Sequence, residues 1–112
     1  MSTAPHNGAL KTRAAVFAAL GDETRLKVLA KLSRGEPQSI SHLTFGTHLT
    51  RQAMRKHLRV LEGAGIVRFV RVGRESLFEL ERKPIDDLRD YLDRVSRQWD
   101  DALERLKSLV EE

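Results

Sequence analysis

Cysteine is absent from this chain of 112 residues, which excludes disulfides and thiolate metal sites outright. No run of about 18 apolar residues occurs, so no membrane span is expected. Residues 1–8 are polar and lack the apolar segment of a secretion signal, and the cytoplasm is the default compartment. Catalytic signatures are missing too: no nucleophile–base pair at motif spacing, no glycine-rich phosphate loop, no paired carboxylates in an apolar setting. Neither enzyme activity nor a cofactor is expected.

What the chain does have is charge, unevenly placed. The net charge is +4 and the apolar fraction 40%, which suits one soluble, polar domain. Residues 1–82 carry +7 and residues 83–112 carry −3. Between Arg51 and Arg74 seven Arg or Lys face a single acid, Glu62. A basic patch of this kind is the electrostatic footprint of nucleic-acid binding.

The basic patch centres on residues 50–64. Thr50 is a good helix N-cap. Met54, Leu58 and Leu61 then recur at helical spacing, while Gln52, Arg55, Lys56 and Arg59 follow the same period on the other face. Gly63 and Gly65 are expected to end the helix. Arg and Gln are the side chains that read guanine and adenine edges in pairs of hydrogen bonds, and Arg and Lys also neutralise phosphates. Alone, this helix could equally be a core helix with a solvated charged face.

Its neighbours favour the first reading. Residues 1–8 read as a disordered tail, and Leu10 to Leu20 as a first helix. Asp22 caps a second helix whose buried side is Leu26, Val28, Leu29 and Leu32. Glu36-Pro37-Gln38 is a break. Ser39 or Ser41 caps a short third helix with Ile40, Leu43 and Phe45, and Gly46-Thr47-His48 turns into the basic helix. A short helix, a glycine turn and a longer basic helix make a helix-turn-helix. After Gly65 the period approaches two. Two strands, joined at Gly73-Arg74-Glu75, form a hairpin wing with Arg71 and Arg74 at its tip.

The last helix opens at Pro84 and runs to about Val110. Its apolar residues are Ile85, Leu88, Leu92, Val95, Trp99, Ala102, Leu106 and Leu109, spaced alternately three and four apart. A domain this small cannot bury so long a seam, so part of it is expected to pack on a second copy, with Trp99 as anchor.

Two stretches carry a resemblance. FAALGDETRLKVL (residues 17–29) is similar to the ALADPTRLRIL opening of ArsR-type winged-helix repressors. TRQAMRKHLRVLEGAGIV (residues 50–67) resembles the same family's recognition-helix signature, notably in its autorepressor-like, non-metal-sensing branch, where TRQAVSKHLxVLExAGLV is common. Residues 96–106, which include Trp99, are similar to that branch as well. The resemblance implies a fold that is mainly α (α+β): about five helices, a two-stranded wing, and a homodimer through terminal helices. It divides the chain into a tail (1–8), a winged helix-turn-helix (9–82) and a dimerisation helix (83–112). It implies a dimeric repressor on a pseudo-palindromic double-stranded DNA operator.

The DNA-binding residues are then Thr50, Arg51, Gln52, Arg55, Lys56, Arg59, Arg71 and Arg74. The dimer interface takes Leu10, Phe17, Leu88, Leu92, Val95, Trp99 and Leu106. Arg55 stands where the family usually has a small Ser, and Thr44 and Thr47 where it has Ala and Leu. Metal sensing is not expected, because the last helix has six Asp but no His. For His57, packing or phosphate contact is expected rather than ligation. The competing reading is a winged module that binds a protein partner through the C-terminal helix. An inducer, whether protein or small molecule, stays open.

Overall fold

The computed structural model describes residues 4–111. In chain order the elements are α1 (Ala4–Leu20), α2 (Glu23–Leu32), β1 (Gln38–Ser39), α3 (Ile40–Thr44), α4 (Arg51–Gly63), β2 (Val67–Val72), β3 (Glu75–Leu80) and α5 (Lys83–Glu111). Three N-caps sit where short polar side chains allow them. Asp22 accepts from the Arg25 amide, Ser39 from the His42 amide and Thr50 from the Ala53 amide. Each satisfies a first-turn donor that has no partner within its own helix.

The helix α1 begins within the segment read as a tail. Met1 to Thr3 lie outside the described residues, but from Ala4 the backbone is already helical.

The end of α4 corrects the role of its glycines. Gly63 is still helical, and the terminator is Gly65 at φ 77°. The Gly65 amide donates to the Glu62 carbonyl and the Ile66 amide to the Leu61 carbonyl, at 2.9 and 3.0 Å. This is a Schellman closure, which needs a left-handed residue at its turn. Its hydrophobic contact is also in place, since Leu61 and Ile66 are both fully buried.

The wing has three strands rather than two, in the order β1-β3-β2, all antiparallel. The added strand is short: Gln38, at the end of the expected break, pairs with Phe78, and Ser39, the cap of α3, pairs with Leu77. Two residues carry no readable period, so only the presence of β3 alongside makes them a strand. The β2–β3 turn is Gly73-Arg74 with Gly73 at φ 62°, glycine at the first central position as a II′ hairpin requires.

One core joins all the helices to the sheet. Val16 and Ala19 come from α1, Val28, Leu29 and Leu32 from α2, Leu43 from α3, Met54, Leu58 and Leu61 from α4, and Leu88 from α5. Leu26, expected inside, is outside, and Phe45, expected in the third helix, lies past its end. Leu26 is half exposed because the inward stripe of α2 runs through positions 25, 28, 29 and 32, which gives the fourth inward place to Arg25. Phe45 is 83% exposed because α3 ends at Thr44 and the chain leaves helical geometry there.

The helix α5 lies only partly on this core. Leu88 is 5% exposed, so it belongs to the chain's own core and not to a surface that a second copy could reach. Beyond it the helix projects. A compact chain of this length has a radius of gyration of about 13 Å, whereas here it is 18.7 Å with a longest dimension of 67 Å. Trp99 is 65% exposed and Leu106 57%. No helix among the described residues is long and apolar enough to cross a membrane.

Candidate nucleic-acid interface

The helix α4 is held from one side only. Met54, Leu58 and Leu61 are at most 1% exposed, and burying three such side chains contributes on the order of 1.5–3 kcal/mol each. Their spacing turns Arg51, Gln52, Arg55, Lys56 and Arg59 outward together, and all five are exposed. Thr50 is exposed too, but its hydroxyl oxygen already accepts from Ala53 at 3.0 Å. What it has left to offer is the hydroxyl hydrogen and one lone pair.

The turn before α4 is built by the two threonines at 44 and 47. The Thr44 hydroxyl donates to the Ile40 carbonyl at 2.6 Å. The Thr47 hydroxyl donates to the Thr44 carbonyl at 2.6 Å and accepts from the Leu49 amide at 3.2 Å. Gly46 takes φ 80° between them. Hydrogen bonds thus close this turn where apolar residues would pack.

The wing lies beside the C-terminal half of α4. A cleft of about 280 Å³ between them is lined by Arg55, Arg59 and Glu62 from the helix and by Phe69, Ser76 and Phe78 from the sheet. Phe69 and Phe78 face each other across the strands, edge to face at 5.7 Å, which stiffens the hairpin. Arg71 and Arg74 are exposed at its end.

The basic residues fall into two groups. Arg68 donates to Glu79 at 2.8 Å and lies 3.7 Å from Glu81. That hydrogen bond, with the charge behind it, raises the Arg68 pKa above its ordinary value. Arg68 is therefore neutralised within the sheet. The side chains of Arg51, Arg55, Lys56, Arg59, Arg71 and Arg74 make no hydrogen bond or ion pair among the described residues. A solvated, unpaired set of cations on one helix face and one hairpin tip is suited to a line of phosphates.

His57 stands between this face and the core. It is half-buried, with Nδ1 3.2 Å from an Arg25 nitrogen and 3.8 Å from an Asp22 carboxylate oxygen. Its ring nitrogen thus meets polar groups of α2 and its cap, within the fold. The Arg25 amide, hydrogen-bonded to Asp22, is the main cause that holds the Asp22 carboxyl below its ordinary pKa. Arg25 escaped the reading of the sequence, although its inward place at the spacing 25, 28, 29, 32 was there to see.

The second exposed surface is apolar. Leu10 and Phe17 on α1 and Leu92, Trp99 and Leu106 on α5 are exposed, and Val95 is half-buried. The two helices are fastened together at their base. Arg13 reaches Asp87 at 3.3 Å and lies over the Tyr91 ring at 4.7 Å, and Phe17 meets Tyr91 edge-on at 6.4 Å. Among the described residues no three His, Asp or Glu gather as a metal site would require.

Residues 20–70 match the family model described as a helix-turn-helix domain. A protein of Bacillus subtilis (strain 168), the uncharacterized HTH-type transcriptional regulator YuzN, is 38% identical over 80 residues, covering 66% of this chain and 87% of its own. The solved ArsR-like transcriptional regulator from Rhodococcus sp. RHA1 superimposes with a TM-score of 0.82 and is 37% identical, covering 91% of this chain and 95% of its own. The solution structure of the homodimeric winged helix-turn-helix DNA-binding domain Mb0332 from Mycobacterium bovis is a likeness in fold alone. Its TM-score is 0.65 and its identity 21%, over 94% of this chain and 95% of its own.

Proposed function

The chain belongs to the ArsR-like family of helix-turn-helix transcriptional regulators, and on that premise we propose that it is a dimeric repressor of a pseudo-palindromic operator. The observation that carries this reading is the division of α4: one face locked in the core, the other presenting five polar side chains without partners. Its width suits a B-DNA major groove, with Arg51, Gln52, Arg55 and Lys56 nearest the base edges and Arg59 toward the backbone. Arg71 and Arg74 on the wing then take phosphates or the adjoining minor groove. Positive charge from both elements steers the encounter and releases counterions on binding.

The second copy is supported by the other surface. Leu92, Trp99 and Leu106 lie on a helix that projects beyond its own core, and Leu10 and Phe17 continue that apolar surface onto α1. The Mycobacterium bovis neighbour, described as homodimeric, agrees with this use of the fold. A two-fold pair places two copies of α4 one helical turn of DNA apart, about 34–36 Å, or a multiple of it. Occupying such a site excludes other proteins from the promoter, which is how a repressor with no catalytic group acts.

Arg55→Ala and Lys56→Ala test the reading. Each is expected to weaken operator binding by roughly 1–3 kcal/mol, about 5- to 150-fold, while sedimentation still shows a dimer. If both variants bind operator DNA like the wild type, α4 does not read it.

A further inference from the structure

Arg25 joins more of this molecule than any side chain on the DNA-facing surface. It occupies the inward stripe of α2 beside Val28, Leu29 and Leu32, where an apolar residue is the rule. Its Nε donates to the Ala19 carbonyl at 2.7 Å and its Nη2 to the Ala18 carbonyl at 3.3 Å. Those carbonyls belong to the last turn of α1, where helix oxygens lack intrahelical donors and a cation is favoured. The remaining Nη1 faces His57 Nδ1 on α4 at 3.2 Å. A guanidinium has no acceptor, so in this contact Arg25 donates and His57 Nδ1 accepts. Asp22 completes the group by accepting from the Arg25 amide at 3.0 Å.

These bonds cross a division of labour. The helix α1 is bound to α5 through Arg13, Phe17, Asp87 and Tyr91, so it belongs with the surface that meets the second copy. The helix α4 carries the cations that meet DNA. Apolar packing by Met54, Leu58 and Leu61 holds α4 on the core but is non-directional, and small rotations of the helix cost it little. Hydrogen bonds from a planar fork are directional and fix such rotations.

We infer that Arg25 is a positioning residue for operator recognition. Its guanidinium sets α4 against α1, and so sets the spacing and angle of the two reading helices in the dimer. This role rests on the dimeric DNA-binding reading above. It concerns the match to two half-sites at once, since neither Arg25 nor His57 is on the exposed cationic face.

The test uses the full-length protein and a palindromic duplex enriched from a random-sequence pool by the wild type. Two companion duplexes have one half-site scrambled or the spacer changed by one base pair. Binding both half-sites together adds an avidity of roughly 10² to 10⁴. Arg25→Ala is expected to lose about tenfold or more on the palindrome, to lose discrimination against the altered spacer, and to bind the scrambled duplex like the wild type. Arg25→Lys, which cannot span three acceptors, should behave as Arg25→Ala does. His57→Gln keeps an acceptor oxygen and should retain the discrimination.

A folded Arg25→Ala dimer that still discriminates the spacer overturns the role. So does an equal loss on all three duplexes, which marks general damage to the domain. Should Arg25→Ala not fold, His57→Leu cuts only the link to α4 and must show the same loss of discrimination, or the role is overturned. A wild type that enriches no sequence overturns the DNA-binding reading itself and this role with it, which is a different result from an indifferent Arg25 variant on an enriched duplex.

Discussion

The helices α4 and α5 are both amphipathic, and the protein uses them in opposite ways. In α4 the apolar stripe is sealed in the core and the polar face is left for a partner. In α5 only Leu88 is buried, and the apolar stripe beyond it stays open while the acids face solvent. The difference lies not in the periodicity, which is equally clear in both, but in what surrounds each helix. The elements α1, α2, α3 and β2 pack around α4. The distal half of α5 has passed the end of the domain, with no part of its own described chain left to cover it. An amphipathic pattern therefore says that a face will be covered, without saying by which chain.

The largest expected effect tests that contrast directly. Leu58→Ala on α4 should destabilise the protein by about 2–5 kcal/mol in urea unfolding, the range for a large-to-small change in a packed core. Leu106→Ala on α5, studied at concentrations where the dimer has dissociated, should change stability by no more than about 0.5 kcal/mol. Equal losses from the two would mean that the distal seam is buried within one chain.

Next in size is Trp99→Ala. If the open stripe meets a second copy, the dimer should weaken by about 2 kcal/mol or more, a rise of roughly 30-fold in the dissociation constant measured by sedimentation. An unchanged dimer would move the interface elsewhere. A smaller effect separates the paired from the unpaired cations of the wing. Arg71→Ala should flatten the salt dependence of DNA binding by about 0.9 for each phosphate that is no longer neutralised. Arg68→Ala should leave the slope almost unchanged, because Glu79 already neutralises Arg68.

The smallest concerns the helix caps. The Asp22 carboxyl is held below its ordinary pKa in the folded state. Its contribution is therefore present above the ordinary carboxylate range and lost as pH falls through the depressed value. Below a pH of about 4, thermal unfolding should show wild type losing stability that Asp22→Asn, which caps without titrating, does not lose. The Thr50 cap of α4 has no such dependence.

Much of the reading face was legible because its causes are local. The Thr50 and Asp22 caps, the stripe through Met54, Leu58 and Leu61, and the change of period after Gly65 are set by bonds and contacts within one or two helical turns. The two-residue strand β1 was not legible, since Gln38 and Ser39 become a strand only against Phe78 and Leu77. Nor was the fate of Leu88, whose place on the seam is shared by residues that end in the core and residues that do not.

By itself, then, the sequence determined most of the helices and strands, the residues that cap them, and that α4 carries a cationic face opposite an apolar one. Those features follow from backbone hydrogen bonding and side-chain period over a few residues. Tertiary structure alone decided the rest: that Arg25 reaches His57 across 32 positions of chain, that Glu79 removes Arg68 from the free cations, and that Leu88 is sealed in the chain's own core. Each depends on distant segments meeting at one place, which no local pattern specifies.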